Sequence, residues 1–328
     1  MKTNEIISGG RALACPPDLE RGSRVAIVSP ASKIDPALID GATSALESEG
    51  FECVGMPYAK GANGSFSGLA SERLSDLENA LADGSVGAIV CSRGGYGAVH
   101  LLEQLDRLPE ECFNKWLVGF SDITALHCLW TRKGYASHHG AMAKYIGRGS
   151  EFPYYETEME VLRGGNLKIM ADAHPFNQCG CAEGVVTGGN LAVLGGLIGT
   201  PYDPFESVYT AEAVESGAVA RPMLFIEDIA EPIYKVERIL WQLHLRGVFR
   251  RVSAVLVGQF TEYRPSADHP DMYTMMHRFF GSIGIPDIPI VYDLPVGHVE
   301  ANAPLLLGCP TIVEATSSGV IITQRQSH

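Results

Sequence analysis

The 328-residue chain has no run of lysine or arginine of the kind that tracks phosphates, and no long apolar segment. Its 25 basic residues are outnumbered by 38 acidic ones, giving a net charge of −13, which argues against a nucleic-acid or anionic-membrane surface. The longest apolar stretch, Asn190 to Ile198, is interrupted by glycine and falls far short of a bilayer span. The eight cysteines include no C-x-x-C pair. Only Cys179-Gly180-Cys181 are close, too close for an ordinary structural zinc pair. Cys91 and Cys128 sit inside apolar runs and read as small buried hydrophobes, so the set fits a reducing compartment better than a secreted disulfide framework. Met1 to Arg24 lacks a basic start followed by an apolar core. No signal peptide is expected on that ground, and the expectation is a cytoplasmic protein. Internal repeats and low-complexity segments are absent from the sequence.

What is present is ordinary globular composition, 46% hydrophobic and 19% charged, at a length that suggests two domains. Residues 1–20 read as a loosely ordered leader broken by Gly9-Gly10 and Pro16-Pro17. From Arg24 onward, short β-branched runs (Arg24 to Ser29, Phe51 to Met56, Val86 to Cys91, Trp116 to Phe120) alternate with helical spacing. The helices are predicted over Asp35 to Glu49, Leu74 to Ala82, Gly97 to Leu105 and Ile123 to Lys133. That rhythm predicts βαβ units and a parallel sheet over 15–150. Glycine, proline and tyrosine loosen the pattern between 151 and 182, which is expected to be a connection. A second α/β domain is expected over 183–328, with strands near Val185, Met223, Val252 and Ile288 and a helix from Ile233 to Leu245.

Four constellations carry chemistry. Ser121 stands where an apolar strand turns into a helix, in Val118-Gly-Phe-Ser-Asp-Ile-Thr124. Such a position lifts a nucleophile to the carboxyl end of a parallel sheet, where ligands bind, and aims the Asp122 amide at a developing oxyanion. The plainer reading of the same position is a serine that merely caps the helix. Cys91-Ser-Arg-Gly-Gly-Tyr-Gly97 is a glycine loop at another such junction, suited to an anion or oxyanion. It lacks the lysine of a P-loop and the acidic partner of a dinucleotide site, and also reads as a plain turn. Glu227-Asp228 ends a buried strand, where carboxylates are costly unless paired or used; Glu227 is placed to orient a histidine and Asp228 to cap a turn. His298 follows a strand between Gly297 and a loop. His127 and the pair His138-His139 compete with it, the pair lacking the spacing and nearby carboxylate of a metal site.

Taken in order, these segments resemble the LD-carboxypeptidase, or muramoyl-tetrapeptide carboxypeptidase, family. The resemblance runs from about Pro16 to Gly308. It includes Pro16-Pro-Asp-Leu, Cys91-Ser-Arg-Gly-Gly-Tyr-Gly-Ala98 and Gly119-Phe-Ser-Asp-Ile-Thr-Ala-Leu-His127. His139-Gly140 with Met142 also fits, although Ala141 replaces the family's proline. Further along come Gly188-Gly-Asn-Leu191, Leu197-Ile-Gly-Thr-Pro201, Phe225-Ile-Glu-Asp-Ile-Ala-Glu231 and Gly297-His298 with Asn302. The resemblance implies a flavodoxin-like or glutamine-amidotransferase-like N-terminal domain and a smaller C-terminal α/β domain. It carries the family's serine, histidine and glutamate onto Ser121, His298 and Glu227, meeting at a domain-interface cleft. The oxyanion would then be held by the amides of Asp122 and of Gly94 or Gly95. No cofactor or metal is called for, the partner is a small murein peptide, and family analogy suggests a homodimer. Some relatives resemble self-immunity peptidases that cleave aminoacyl-nucleotide antibiotics, for which Tyr154 or Tyr155 would have to stack on a base. A catalytically silent binding protein of the same fold is the third expectation.

Overall fold

The computed structural model describes residues 6–7 and 10–324. Five short runs start the first sheet: β1 (Arg24–Val28), β2 (Glu52–Gly55), β3 (Val86–Cys91), β4 (Trp116–Gly119) and β5 (Ser137–His139). They lie side by side in the order β2-β1-β3-β4-β5, every pair parallel. That is the flavodoxin-like order, with its direction reversing between β1 and β3. β3 and β4 bury nearly every residue, as strands covered by helices on both faces must.

The covering helix Pro36–Ser48 begins with Asp35 accepting the Ala37 amide at 3.0 Å and proline in the first turn. Its Ile39, Ala42 and Leu46 are buried, as the spacing requires. The next helix, Ala70–Ala82, starts four residues before the apolar pattern does. Glu72 reaches back to the Leu69 amide at 2.7 Å and nucleates a first turn that hydrophobic periodicity does not register. The segment 97–105 forms a 3-10 turn, Ala98–Leu101, before a short helix, Leu102–Leu105.

Apart from a short antiparallel pair, Ile6–Ile7 with Gly10–Arg11, the remaining strands are β6 (Leu167–Asp172), β7 (Gly180–Asn190), β8 (Pro222–Ile229), β9 (Ala254–Thr261), β10 (Ile290–Val291), β11 (Leu305–Leu307), β12 (Pro310–Thr316) and β13 (Gly319–Gln324). Seven of them form a mixed sheet in the order β10-β9-β8-β7-β12-β13-β6. β7 to β10 are parallel, and β12, β13 and β6 run antiparallel to their neighbours. β11 instead pairs antiparallel with β5, so the chain returns to the first sheet near its end. The stretch 151–182, expected as a bare connection, carries the helix Tyr155–Leu162 and the edge strand β6.

The leader also differs from its expectation. Ala12 and Leu13 are buried, the Leu13 amide donates to Gly308 O at 3.0 Å, and the Ala14 amide to Gly134 O at 3.1 Å. Prolines 16 and 17 break regular structure without loosening the packing. Residues 1–5, 8 and 9 of that leader lie outside the described residues. Among the described residues no helix is long and apolar enough to cross a membrane.

Candidate active site

The loops leaving β1, β3, β4 and β5 all emerge at one edge of the first sheet, the carboxyl edge. β4 ends in a sharp reversal. Phe120 is extended (φ −149°), Ser121 takes a left-handed φ of 67°, and the helix Thr124–Arg132 follows within two residues. A non-glycine residue in that region costs roughly 1–3 kcal/mol and persists only where its surroundings impose it. The side chain of Ser121 does not cap the helix, contrary to the plainer of its two readings. It projects to His298, with Oγ 2.9 Å from Nε2.

His298 Nδ1 donates to Glu227 Oε2 at 2.7 Å, which fixes the tautomer and leaves Nε2 to face the serine. Glu227 is fully buried near the end of β8. Gly297 adopts φ 132°, and a Cβ there would lie 2.9 Å from Glu227 Oε2, so the glycine lets the histidine loop close onto the carboxylate. The Gly297 amide is anchored by buried Asn302 Oδ1 at 2.7 Å. Phe120 sets its ring edge-on to the imidazole at 5.1 Å. Burial disfavours the imidazolium, but the hydrogen bond and charge of Glu227, with Asp228 and Glu262 behind them, outweigh it. The pKa of His298 is therefore raised above the ordinary histidine value.

Asp228 performs the capping task, though on another helix. It accepts from Asn190 Nδ2 and the Ala192 amide, both at 2.9 Å, at the start of the helix Leu191–Leu197. Burial, reinforced by the neighbouring Glu227 charge, pushes its pKa up to about 6.

The glycine loop sits directly opposite the serine. A Cβ on Gly94 would approach Ser121 Oγ to 3.0 Å and the Asp122 amide nitrogen to 3.3 Å. The space in front of the hydroxyl is thus open because Gly94 has no side chain, and the Asp122 amide borders it. Gly95 is shaped differently: its φ is 111°, and a Cβ would collide with Ser32 Oγ at 2.2 Å. The Asp122 carboxylate accepts from the Ala98 amide at 2.9 Å, tying the elbow to the glycine loop.

Two supports escaped the sequence reading. Buried Arg73 donates to Pro30 O at 2.5 Å and to Gly97 O at 2.9 Å, bridging the loops after β1 and β3. Its signal was available: Arg73 shares a helix stripe with Leu77, Ala80 and Leu81. Thr124 Oγ1 accepts the Asn190 amide at 2.9 Å, joining the helix after Ser121 to β7 of the other sheet.

The competing histidines are placed elsewhere. His127 is buried behind β4, donating from Nε2 to Gly119 O at 2.8 Å and accepting from Ser137 Oγ at 2.8 Å. Burial foremost drives its pKa down to about 4, so it is a neutral strut between β4 and β5. His138 pairs with Glu158 at 2.9 Å, both wholly buried; the carboxylate missing from the local sequence comes from the helix Tyr155–Leu162. His139 packs edge-on against Phe225, and burial with the neighbouring histidines pushes its pKa far down. Among the described residues no cluster of three metal-type ligands occurs. Tyr155 is buried with its hydroxyl toward Ala45 O, so it is not free to stack on a ligand. Tyr154 lines a separate pocket of about 610 Å³ with His174, Asp293 and Pro295.

Comparison with known proteins agrees with this architecture. Residues 25–140 match the N-terminal domain of LD-carboxypeptidases and residues 183–313 their C-terminal domain. The murein tetrapeptide carboxypeptidase of Pseudomonas aeruginosa is 29% identical over 89% of this chain and 93% of its own length. A probable murein peptide carboxypeptidase of Bacillus subtilis is 30% identical over 94% and 93%. The crystal structure of muramoyltetrapeptide carboxypeptidase from Oxalobacter formigenes superposes with a TM-score of 0.78 at 25% identity, covering 92% of this chain and 98% of that one. The microcin C7 self-immunity protein MccF shares the fold with a TM-score of 0.77 at 20% identity, covering 96% and 99%. With both domains matched in order and relatives aligned along nearly their full length, this chain belongs to the LD-carboxypeptidase family of peptidases.

Proposed function

We propose that this chain is a serine-type LD-carboxypeptidase that hydrolyses the L,D-peptide bond before a terminal D-amino acid, D-alanine, of a murein tetrapeptide. The observation that supports this reading is the line from Ser121 Oγ through the imidazole of His298 to buried Glu227, with hydrogen bonds of 2.9 and 2.7 Å. A serine hydroxyl held at a strained elbow against a carboxylate-oriented imidazole is the arrangement that activates an otherwise weak nucleophile. Nε2 takes the hydroxyl proton as Oγ attacks the scissile carbonyl, and Glu227 stabilises the imidazolium that forms. The Asp122 amide and an amide of Gly94 or Gly95 receive the oxyanion; one such donor is worth about 3 kcal/mol of barrier. The imidazolium then gives its proton to the leaving amine, D-alanine departs, and water repeats the sequence on the acyl-enzyme. None of these steps draws on a cofactor.

The testing experiment is mass-spectrometric product analysis with purified protein on free and disaccharide-linked murein tetrapeptides, with an aminoacyl-nucleotide conjugate as the competing substrate. Release of D-alanine from the tetrapeptides, abolished in Ser121→Ala at an unchanged thermal midpoint, is expected. Full turnover by Ser121→Ala rejects the nucleophile, and cleavage of the conjugate alone moves the substrate to the nucleotide class.

A further inference from the structure

A second group of side chains gathers beside the glycine loop. Lys33, Ile34, Asp35, Leu38, Arg93 and Lys144 line a pocket of about 440 Å³. Its walls are the loop after β1, the loop after β3 and the turn after β5. These are knitted together by Arg93 Nη1 donating to Lys33 O at 3.1 Å and the Lys144 amide to Ser92 O at 3.2 Å. The crevice between β1 and β3 is where the strand order reverses, the place at which open α/β sheets take their ligands.

The charge of this pocket runs against that of the whole molecule. Three cations converge in a chain of net charge −13, and among the described residues none of the three forms an ion pair. Asp35, the one acid present, holds the Ala37 amide at the start of its helix. Arg148, close by, is by contrast neutralised by Glu300 at 2.5 Å.

The distance to the serine is set by the backbone. Arg93 directly precedes Gly94, whose Cβ position is 3.0 Å from Ser121 Oγ. With consecutive Cα atoms about 3.8 Å apart, the Arg93 Cα lies within about 8 Å of the hydroxyl. From the other side a chain of rings leads from His298 through Phe120 (5.1 Å) to Tyr145 (5.8 Å), over which Lys144 Nζ sits at 5.2 Å. In a peptide attacked at its last bond, the terminal carboxylate lies one residue beyond the scissile carbonyl, within reach of an arginine so placed.

We propose that Arg93, assisted by Lys144 and Lys33, binds the terminal carboxylate of the substrate and so restricts cleavage to the last residue. The assignment rests on the peptidase reading above. The planar guanidinium pairs with both carboxylate oxygens, while the lysines add unoriented charge. An internal peptide bond would present a neutral amide to this pocket and forfeit the attraction.

The experiment compares a murein tetrapeptide ending in D-alanine with its C-terminal carboxamide. kcat and KM are measured for the wild type, Arg93→Gln, Arg93→Lys and Lys144→Gln. Binding of both peptides is measured calorimetrically in a Ser121→Ala background with and without Arg93→Gln. Arg93→Gln is expected to lower kcat/KM for the acid by about tenfold to a hundredfold, mainly through KM, and to leave the carboxamide unaffected. Lys144→Gln should cost less, and Arg93→Lys should restore part of the loss. Equal losses on acid and carboxamide, or no loss on either, overturn the assignment. If the wild type turns over neither peptide while Arg93→Gln still abolishes preferential binding of the acid, the subsite stands and the peptidase reading falls.

Discussion

Ser121 and His298 face each other across 2.9 Å yet are held by different means. The serine is placed by its own stretch of chain: an extended Phe120, a left-handed φ at 121 and a helix beginning at 124. The histidine owes its position to Glu227 on β8, 71 residues away in sequence, with Asn302 anchoring the histidine's own loop and Gly297 permitting the close approach. Local geometry thus presents the proposed nucleophile, whereas long-range hydrogen bonding presents the proposed base. Damage on the base side should therefore spoil orientation and charge, and damage on the nucleophile side should spoil the space in front of the hydroxyl.

Short of removing the serine hydroxyl itself, the largest effect is expected from Glu227→Gln. The amide keeps the shape of the carboxylate while removing its charge and allowing the wrong imidazole tautomer, a loss of about 10³ to 10⁴ in kcat. The pH profile separates this from simple misfolding. His298 must be neutral to accept the serine proton, and its pKa is raised, chiefly because Glu227 overcomes the effect of burial. kcat/KM of the native protein should therefore fall on the acid side at a pH above the titration of an ordinary histidine, near 6.5. In Glu227→Gln the same limb should move to lower pH. An unmoved limb would show that the carboxylate does not control the imidazole.

Gly94→Ala probes the opposite side. Its Cβ would sit 2.8 Å from the Ser121 Cβ and 3.0 Å from Oγ, so something must shift, and the oxyanion space narrows. A fall in kcat of about 10² is expected, the cost of roughly one misplaced oxyanion donor. Gly196→Ala serves as the control, since a Cβ there meets nothing within 4 Å in the last turn of the helix Leu191–Leu197. It should leave turnover alone and add up to about 1 kcal/mol to stability in urea unfolding. If the two variants behave alike, Gly94 has no special relation to the hydroxyl.

The same division explains how much could be read from the amino-acid order. The elbow was legible because it is local: four apolar residues, Ser121-Asp122, then a helical pattern ending at Gly134. The parallel strands were legible from their β-branched runs, since a strand buried on both faces shows its hydrophobicity in every residue. The edge strand β6 was not, because it alternates buried Leu167 and Ile169 with exposed Lys168 and Met170 within a glycine-rich setting. The hairpin β12–β13 and the helix Met272–Ile283 also went unpredicted. The latter starts at an Asp271 cap, with Met272, Met275, Met276 and Phe279 at helical spacing. On the base side spacing offered only a lone histidine and an acidic pair. What joined them was the run of family motifs, because a hydrogen bond spanning 71 residues leaves no periodic trace. The buried pair His138–Glu158 is hidden for the same reason.

The smallest predicted effect lies where the two modes of support meet. Thr124 belongs to the helix that follows Ser121, and its Oγ1 accepts the amide of Asn190, which stands in register with Glu227 across β7 and β8. Thr124→Val keeps the shape and removes the acceptor, stranding a buried amide at a cost of about 1–3 kcal/mol, measurable as a lower urea midpoint. If the serine and glutamate sides are positioned independently, turnover should survive that loss intact. If this contact sets their mutual distance, kcat should drop severalfold with KM unchanged, because what suffers is the reach between Oγ and Nε2 and not the hold on the peptide. The second outcome is expected. Gly189, the residue before Asn190, has room for no side chain against Thr124, a Cβ there lying 2.5 Å from Oγ1, and so close an approach of two elements is hard to account for by packing alone.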